Sequence, residues 1–320
     1  MSARYRRIRA MEKDHPLSEL CTAFAVSRSG CYAWNKRPPS ARQQADKELL
    51  EQILTLRQSE EGSYGSPRMT RELQARGHSC SENRIARLMR RHGLRAQAPR
   101  RFVPRTTDSD HDQPVAPSRP ARRPAPEGPD QVWLQDITYV PTARGWMYLA
   151  LVMDLRSRRI VGWAMAGHLR GELVASALHM ACTQRRPARG VLVHSDRGVQ
   201  YASRETREFL EHHGCVASMS RKGNPYDNAW MESAIGKIKS EALGRTVPAD
   251  HASARAQLFV GIESRYNQRR RHSSLGYQSP VAFENQFMKN QPQQMTSAPV
   301  HFFGGTSPVE LLGRSVFSCH

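Results

Sequence analysis

The sequence has no run approaching the roughly 18 apolar residues needed to cross a bilayer as a helix, and its mean hydropathy is −0.65. A membrane-embedded protein is therefore not expected. Cysteine is sparse and scattered: Cys21, Cys31, Cys80, Cys182, Cys215 and Cys319 make no Cys-x-x-Cys pair. Neither a zinc site nor a disulfide framework follows from that spacing. The basic start Met1-Ser-Ala-Arg-Tyr-Arg-Arg-Ile-Arg9 leads into no apolar stretch, so no secretory signal and a cytoplasmic location are expected. No sustained heptad run appears, which leaves no coiled coil to expect. Acid is also short. The chain of 320 residues carries 48 Lys and Arg against 29 Asp and Glu, a net charge of +19. That excess argues for a polyanionic partner.

The charge is uneven. Residues 1–105 hold 22 Lys and Arg against 10 Asp and Glu, and arginine dominates, as suits bidentate phosphate contacts. Residues 16–36 predict two short helices around a turn, with Ser27 capping the second, in the layout of a helix-turn-helix. Gly30 inside the second helix counts against it. Residues 43–95 predict three more helices. The first places Leu49, Ile53, Leu54 and Leu56 mostly on one side; the second opens at Ser66-Pro67. The third is capped by Ser81 and stopped by Gly93, with an apolar stripe of Ile85, Leu88 and Met89 that ends in a partly buried His92. Arg84, Arg87, Arg90 and Arg91 line its other faces and are the candidates for phosphate contact. Pro104 to Pro129 holds seven prolines and no periodicity, which predicts an extended linker.

Beyond the linker stand three acids in three settings. Asp136 lies within Val132-Trp-Leu-Gln-Asp-Ile-Thr-Tyr-Val140, an apolar run that predicts a buried strand. Asp196 closes Gly190-Val-Leu-Val-His-Ser-Asp196 and is expected just past a second strand. Glu232 is expected in a helix opened by Asn224 as cap, Pro225 and Asp227. Between them Trp146–Asp154 and Arg159–Met165 predict two strands of a meander. Leu173–Gln184 and Arg204–His213 predict helices, and Cys215–Ser218 predicts a last strand. Strands followed by alternating helix and strand fit a mixed α/β sheet. A single such acid is more often a cap or a solvated charge. Three gathered carboxylates repel one another unless a cation neutralises them. Hard oxygens suit Mg2+ or Mn2+, and two such ions serve in-line phosphoryl transfer. Asp154 is a fourth acid, expected to be a hairpin-end cap, and His194 is expected in the core.

Several motifs carry a resemblance. Trp133-Leu-Gln-Asp-Ile-Thr-Tyr139, Tyr148-Leu-Ala-Leu-Val-Met-Asp-Leu-Arg-Ser-Arg-Arg-Ile-Val-Gly-Trp163 and His194-Ser-Asp-Arg-Gly-Val-Gln-Tyr201 resemble the integrase-type core of DDE transposases. So do Ser218-Met-Ser-Arg-Lys-Gly-Asn-Pro-Tyr-Asp-Asn-Ala-Trp-Met-Glu232 and Tyr266-Asn-Gln-Arg-Arg-Arg-His-Ser-Ser-Leu-Gly-Tyr-Gln-Ser-Pro280. The second-frame subunit (OrfB) of the insertion-sequence-3 family is the match, running in order to about Phe283. The resemblance implies an α/β, ribonuclease-H-like integrase core, a mixed five-stranded sheet with helices, preceded by all-α helix-turn-helix-like modules. It also implies that Asp136, Asp196 and Glu232 form the catalytic and metal-binding triad. The retroviral integrases of that fold carry a His-His-Cys-Cys zinc module, and nothing here has its spacing.

The expected division is a helix-turn-helix-like segment at 1–38, a basic helical module at 39–103, the linker at 104–130, the catalytic core at 131–285 and a weakly ordered tail at 286–320. Lys239, seven residues after Glu232, together with Arg221 and Lys222, is expected to hold phosphates of the DNA end. Asn267, Arg270 and His272 match family positions and are expected to contact DNA. The implied partners are double-stranded DNA, further copies of the chain and an upstream-frame subunit. The expected activity is metal-dependent cleavage at element ends and strand transfer through a free 3′-hydroxyl. The rival expectations are a nuclease that stops at hydrolysis and a DNA-binding regulator with a decayed core.

Overall fold

The computed structural model describes residues 2–59, 62–96, 116–118, 125–220, 228–244 and 246–290. At the N-terminus α1 (Ser2–Met11), α2 (Leu17–Ala23) and α3 (Arg28–Lys36) pack around Ile8, Leu20, Cys21 and Cys31. The two expected helices are present. Ser27 Oγ caps α3 by accepting from the Gly30 amide at 3.0 Å. The α1 helix was not expected, because Tyr5, Ile8 and Met11 are thin apolar spacing in a basic run. It also explains Gly30: a Cβ there would lie 2.7 Å from the Tyr5 hydroxyl, so only glycine admits this close approach. Tyr5 in turn stacks on Trp34 at 5.7 Å.

Helices α4 (Ala41–Ser59), α5 (Ser66–Ala75) and α6 (Glu82–Arg91) bury Leu49, Ile53, Leu56, Met69, Leu73, Ile85, Leu88 and Met89 with Tyr64. Ser81 caps α6, accepting from the Arg84 amide at 3.4 Å. Two expectations fail here. Leu54 is 42% exposed, since one step of 100° from Ile53 takes it off the buried stripe. His92 is exposed beyond the end of α6 rather than partly buried.

The core sheet has the order β3-β2-β1-β4-β5. Strands β1 (Val132–Thr142), β2 (Gly145–Asp154) and β3 (Ile160–Ala166) form the antiparallel meander. Strands β4 (Leu192–Ser195) and β5 (Val216–Met219) add in parallel. Helix α7 (Gly171–Arg185) follows the meander, and α8 (Val199–Ala202) with α9 (Arg204–His212) makes the crossover from β4 to β5. Both faces are covered, so β2 reads as apolar throughout. Leu149, Leu151 and Met153 face α10 (Ala229–Ala242), α11 (His251–Phe259) and the π-helical Val260–Arg269; Ala150 and Val152 face α7. Cys182 and Cys215 meet beneath α7 as free thiols. No helix among the described residues is long and apolar enough to cross a membrane.

Helix α10 is described from Ala229, with Asn228 in the position before it. Asn224, Pro225 and Asp227 lie outside the described residues, as do most of the Pro-rich linker and 291–320. The last described helix, α12 (Pro280–Asn290), runs past the expected end of the core at 285. Residues 286–290 are therefore helix, not tail.

The helical module is seated on the core. Tyr64 Oη accepts from the Arg271 amide at 3.2 Å, and Arg271 Nε pairs with Glu72 at 2.7 Å. Arg68 Nε donates to the Arg271 carbonyl at 3.0 Å, and Arg265 donates to Ser63 Oγ at 3.1 Å.

Candidate active site and nucleic-acid contacts

The site begins with strand register. Strand β1 pairs with β4 in parallel as Val132 with Leu192, Trp133 with Val193 and Leu134 with His194. The last described pair stands two residues before each aspartate, so Asp136 and Asp196 follow it toward the same end of these two strands. Each aspartate fixes one oxygen locally. Asp136 Oδ1 accepts from the Ile137 amide at 2.8 Å, and Asp196 Oδ1 from the Gly198 amide at 3.0 Å. A Cβ at Gly198 would stand 3.1 Å from that Asp196 oxygen and 2.8 Å from Gln200 Oε1, so a side chain there would crowd the aspartate.

The third acid arrives on α10, which lies along β1. Asn228 Nδ2 reaches the Gln135 carbonyl at 3.5 Å, and Lys239 Nζ donates to Thr138 Oγ1 at 3.2 Å and to the Tyr139 carbonyl. Met231, Ala234, Ile235 and Ile238 bury the inner face of α10. Glu232 is exposed in its first turn. Electrostatics link the three. Burial, then Asp196, then Glu232 push the Asp136 carboxyl well above the usual carboxylate range. Two acids thus bear on the third, Asp196 more strongly, without closing into a cage: among the described residues no trio of His, Cys, Asp and Glu is placed to hold an ion. Tyr201 is buried against this pair, and burial with the charges of Asp196 and Asp136 raises its phenol.

The fourth acid is structural, as expected. Asp154 is fully buried, accepting from the Asp130 amide at 2.6 Å and the Ser157 amide at 2.7 Å. Burial lifts it to about 6 against those bonds. Replacing it by alanine strands two buried N–H donors. Asp154→Ala should lose about 1–3 kcal/mol in urea unfolding yet keep its DNA-cleavage rate at a temperature where it is folded. Loss of cleavage at full stability would overturn that assignment. His194 is core too, its ring nitrogens 3.0 Å from Ser218 Oγ and 3.2 Å from Ser220 Oγ.

The expected DNA contacts divide. Arg90 and Arg91 are exposed on α6. Arg84 pairs with Asp46 at 2.7 Å and Arg87 approaches it at 3.5 Å, so part of their charge is spent inside the module. Arg221 and Lys222 lie outside the described residues. Lys239 is half-buried with its ammonium on β1. Asn267, Arg270 and His272 are buried, which corrects the expectation that they touch DNA from the surface. Asn267 clamps the sheet edge, accepting from the Ile160 amide and donating to its carbonyl, both at 2.9 Å. Arg270 binds both carboxylate oxygens of Glu241 at 2.9 and 3.0 Å. His272 packs edge-on to Tyr266, and burial followed by Arg270 holds it near 2, a neutral ring. Sequence reasoning missed Arg158, whose guanidinium lies 3.8 Å over the Trp230 ring; no spacing signal joins residues so far apart.

Comparison with known proteins places these features in company. Residues 126–225 and 213–280 match two families, each described as integrase core domain, and residues 44–102 match a family described as HTH-like domain. The chain is 41% identical over 268 residues to the "Insertion element IS600 uncharacterized 31 kDa protein" of Shigella sonnei, covering 84% of this chain and 98% of that one. It is 38% identical over 284 residues to "Transposase InsF for insertion sequence IS3A" of Escherichia coli K12, covering 88% and 98%. Among solved structures, the HTLV-2 integrase catalytic core domain in complex with magnesium is 16% identical with a TM-score of 0.39, over 49% of this chain and 98% of that one.

Proposed function

The chain belongs to the insertion-sequence-3 family of transposases, and from that premise we propose that Asp136, Asp196 and Glu232 carry out its cleavage and joining of DNA. The observation that carries the reading is the parallel register of β1 on β4, whose last described pair stands two residues before each aspartate. The charges of the other two acids on Asp136 support it. The Ile137 and Gly198 amides hold one oxygen of each aspartate, and in this reading the second oxygen of each is the metal ligand. Glu232, exposed at the start of α10, joins them by side-chain rotation.

The donor set is three hard carboxylates with no thiolate, and the nearby imidazole of His194 is taken up by serines. That chemistry fits Mg2+ or Mn2+, two ions in this reading. Such ions, when bound, polarise a phosphodiester and lower the pKa of attacking water. The residues themselves fix the acids in place, and carboxylates gathered in this way repel one another unless a cation is bound among them.

Duplex DNA is the partner in this reading, met by Arg90 and Arg91 on the 39–103 module and by the core. Assembly of several copies on DNA, and fusion to or binding of an upstream-frame subunit, belong to the same proposal. The modules run as 1–38, 39–103, 104–130 and the core from 131, extended to Asn290 by α12. Joining separates a transposase from a nuclease that stops at hydrolysis. Given a duplex already cut to expose the 3′-hydroxyl of the element end, the protein should join that strand to a target plasmid in Mg2+. Hydrolysis of uncut ends with no joined product would sink the proposal.

A further inference from the structure

Around the axis of α10, at about 100° per residue, Trp230, Lys237 and Glu241 lie roughly 140° to 180° from Glu232. That far face looks toward α5 and the segment after the π-helix. There cations outnumber acids. Arg270 is 2% exposed and His272 is 5% exposed. Arg270 gives Nε and Nη2 to Glu241, while its Nη1 has no hydrogen-bond partner. His272 Nε2 and Arg158 Nη1 are likewise buried without one. Arg265 stands 3.8 Å from the same Glu241. Lys237 donates to Ser233 Oγ at 2.7 Å, and among the described residues it makes no ion pair, feeling Glu241 only as a weaker charge than Arg270 and Arg68. Trp230, 53% exposed, forms the outer lip, with Arg158 stacked on it at 3.8 Å.

Like charges packed this densely at a half-buried site repel, and buried donors left open are costly. The repulsion is relieved when an anion with several acceptor oxygens settles on the outer cations. A phosphodiester has that shape and charge, and guanidiniums with an adjacent aromatic suit it. We propose that the outer members of this cluster, Arg68, Arg158, Lys237 and Trp230, lying over the buried Arg270 and His272, bind a backbone phosphate of duplex DNA on the side of α10 away from the acids. The helical module contributes Arg68, so the DNA is gripped where module and core meet. Burial first, then Arg270 and Arg68, draws the Lys237 ammonium down to about 8, as crowding by unanswered cations requires. The assignment rests on the reading of the chain as a DNA transposase.

The test keeps binding apart from chemistry. Affinity for a fluorescent duplex bearing an element end is measured by anisotropy in EDTA, from 50 to 200 mM salt, in the full chain carrying Asp196→Asn. Lys237→Ala and Arg158→Ala are compared with Lys289→Ala, an exposed lysine on α12. Each cleft variant should flatten the slope of log affinity against log salt by about 0.9, the loss of one phosphate contact, while Lys289→Ala leaves it alone. Circular dichroism melting confirms that each variant is folded, and Lys237→Arg should restore the slope. A fall in either cleft variant beyond the Lys289→Ala control supports the site; unchanged slopes in both overturn it. Should inorganic phosphate raise the melting temperature of the parent but of neither cleft variant, with the DNA slopes unchanged, the ligand is free phosphate and the DNA assignment falls. Strand joining retained in Mg2+ by the Asp196→Asn chain, with these slopes lost in the cleft variants, would instead count against the catalytic reading alone.

Discussion

Asp196→Asn should abolish cleavage and joining of end-bearing DNA while leaving duplex affinity within about twofold, since that affinity rests on cationic phosphate contacts. The rate loss expected is on the order of 10²- to 10³-fold or more, the scale of removing one preorganised charged group from a reacting centre. The amide conserves shape and can still accept from the Gly198 amide at 3.0 Å, so the turn after β4 survives. What disappears is a negative charge beside Asp136. Asp196 is the strongest of the charges acting on that carboxyl, and the pair loses its hold on a divalent cation when one member is neutral. Because the acids act together, Asp136→Asn on top of Asp196→Asn should cost little more. Cleavage at the parent rate would refute the assignment. Loss of DNA affinity together with activity would mean that Asp196 is structural.

How much of this could be read in the chain depended on what each residue's neighbours were. The strands of Asp136 and Asp196 were legible because apolar and β-branched runs bounded by polar turns fix strand type locally. Their adjacency was not, since parallel pairing joins Leu134 to His194 across 60 positions. The helix of Glu232 was legible from its periodicity. What lay beyond the sequence was its seat on β1, where Asn228 Nδ2 reaches the Gln135 carbonyl across 93 positions. Asn267, Arg270 and His272 were misread for one physical reason. A polar residue among aromatics looks the same in sequence whether water or a partner satisfies it. Arg270 is satisfied by Glu241, and Asn267 by the Ile160 backbone of β3, 107 positions away. The resemblance marked these positions as special without saying whether they face DNA or hold the fold.

Glu284→Gln should remove about 3–5 kcal/mol of stability at pH 7, the scale of breaking a buried ion pair. Glu284 lies four residues past the last resembling motif, which ends at Pro280, and is 1% exposed. It accepts from Ser157 Oγ at 2.7 Å, Arg159 at 2.7 Å and Arg185 at 2.8 and 3.0 Å. Arg185 passes the link to Asp130 at 2.7 Å, so one carboxylate ties α12 to α7, the β2–β3 turn and the entry to β1. The glutamine keeps the size but turns an amide N–H toward a guanidinium and leaves Arg185 with Asp130 alone. Burial raises the Glu284 carboxyl, and the bonds from Arg185 and Arg159 outweigh it and hold the group below its ordinary range. A depressed carboxylate contributes its stability above the unfolded value of about 4.3 and loses it as pH falls through the lower folded value. The gap between parent and Glu284→Gln in urea unfolding should therefore be full at pH 7 and shrink below about pH 4. Asp154, lifted to about 6, acts in the opposite sense, but it is present in both proteins and cancels from the difference. A gap that stays constant down to pH 3, or one near zero at pH 7, would show that α12 is held by its apolar contacts and not by this carboxylate.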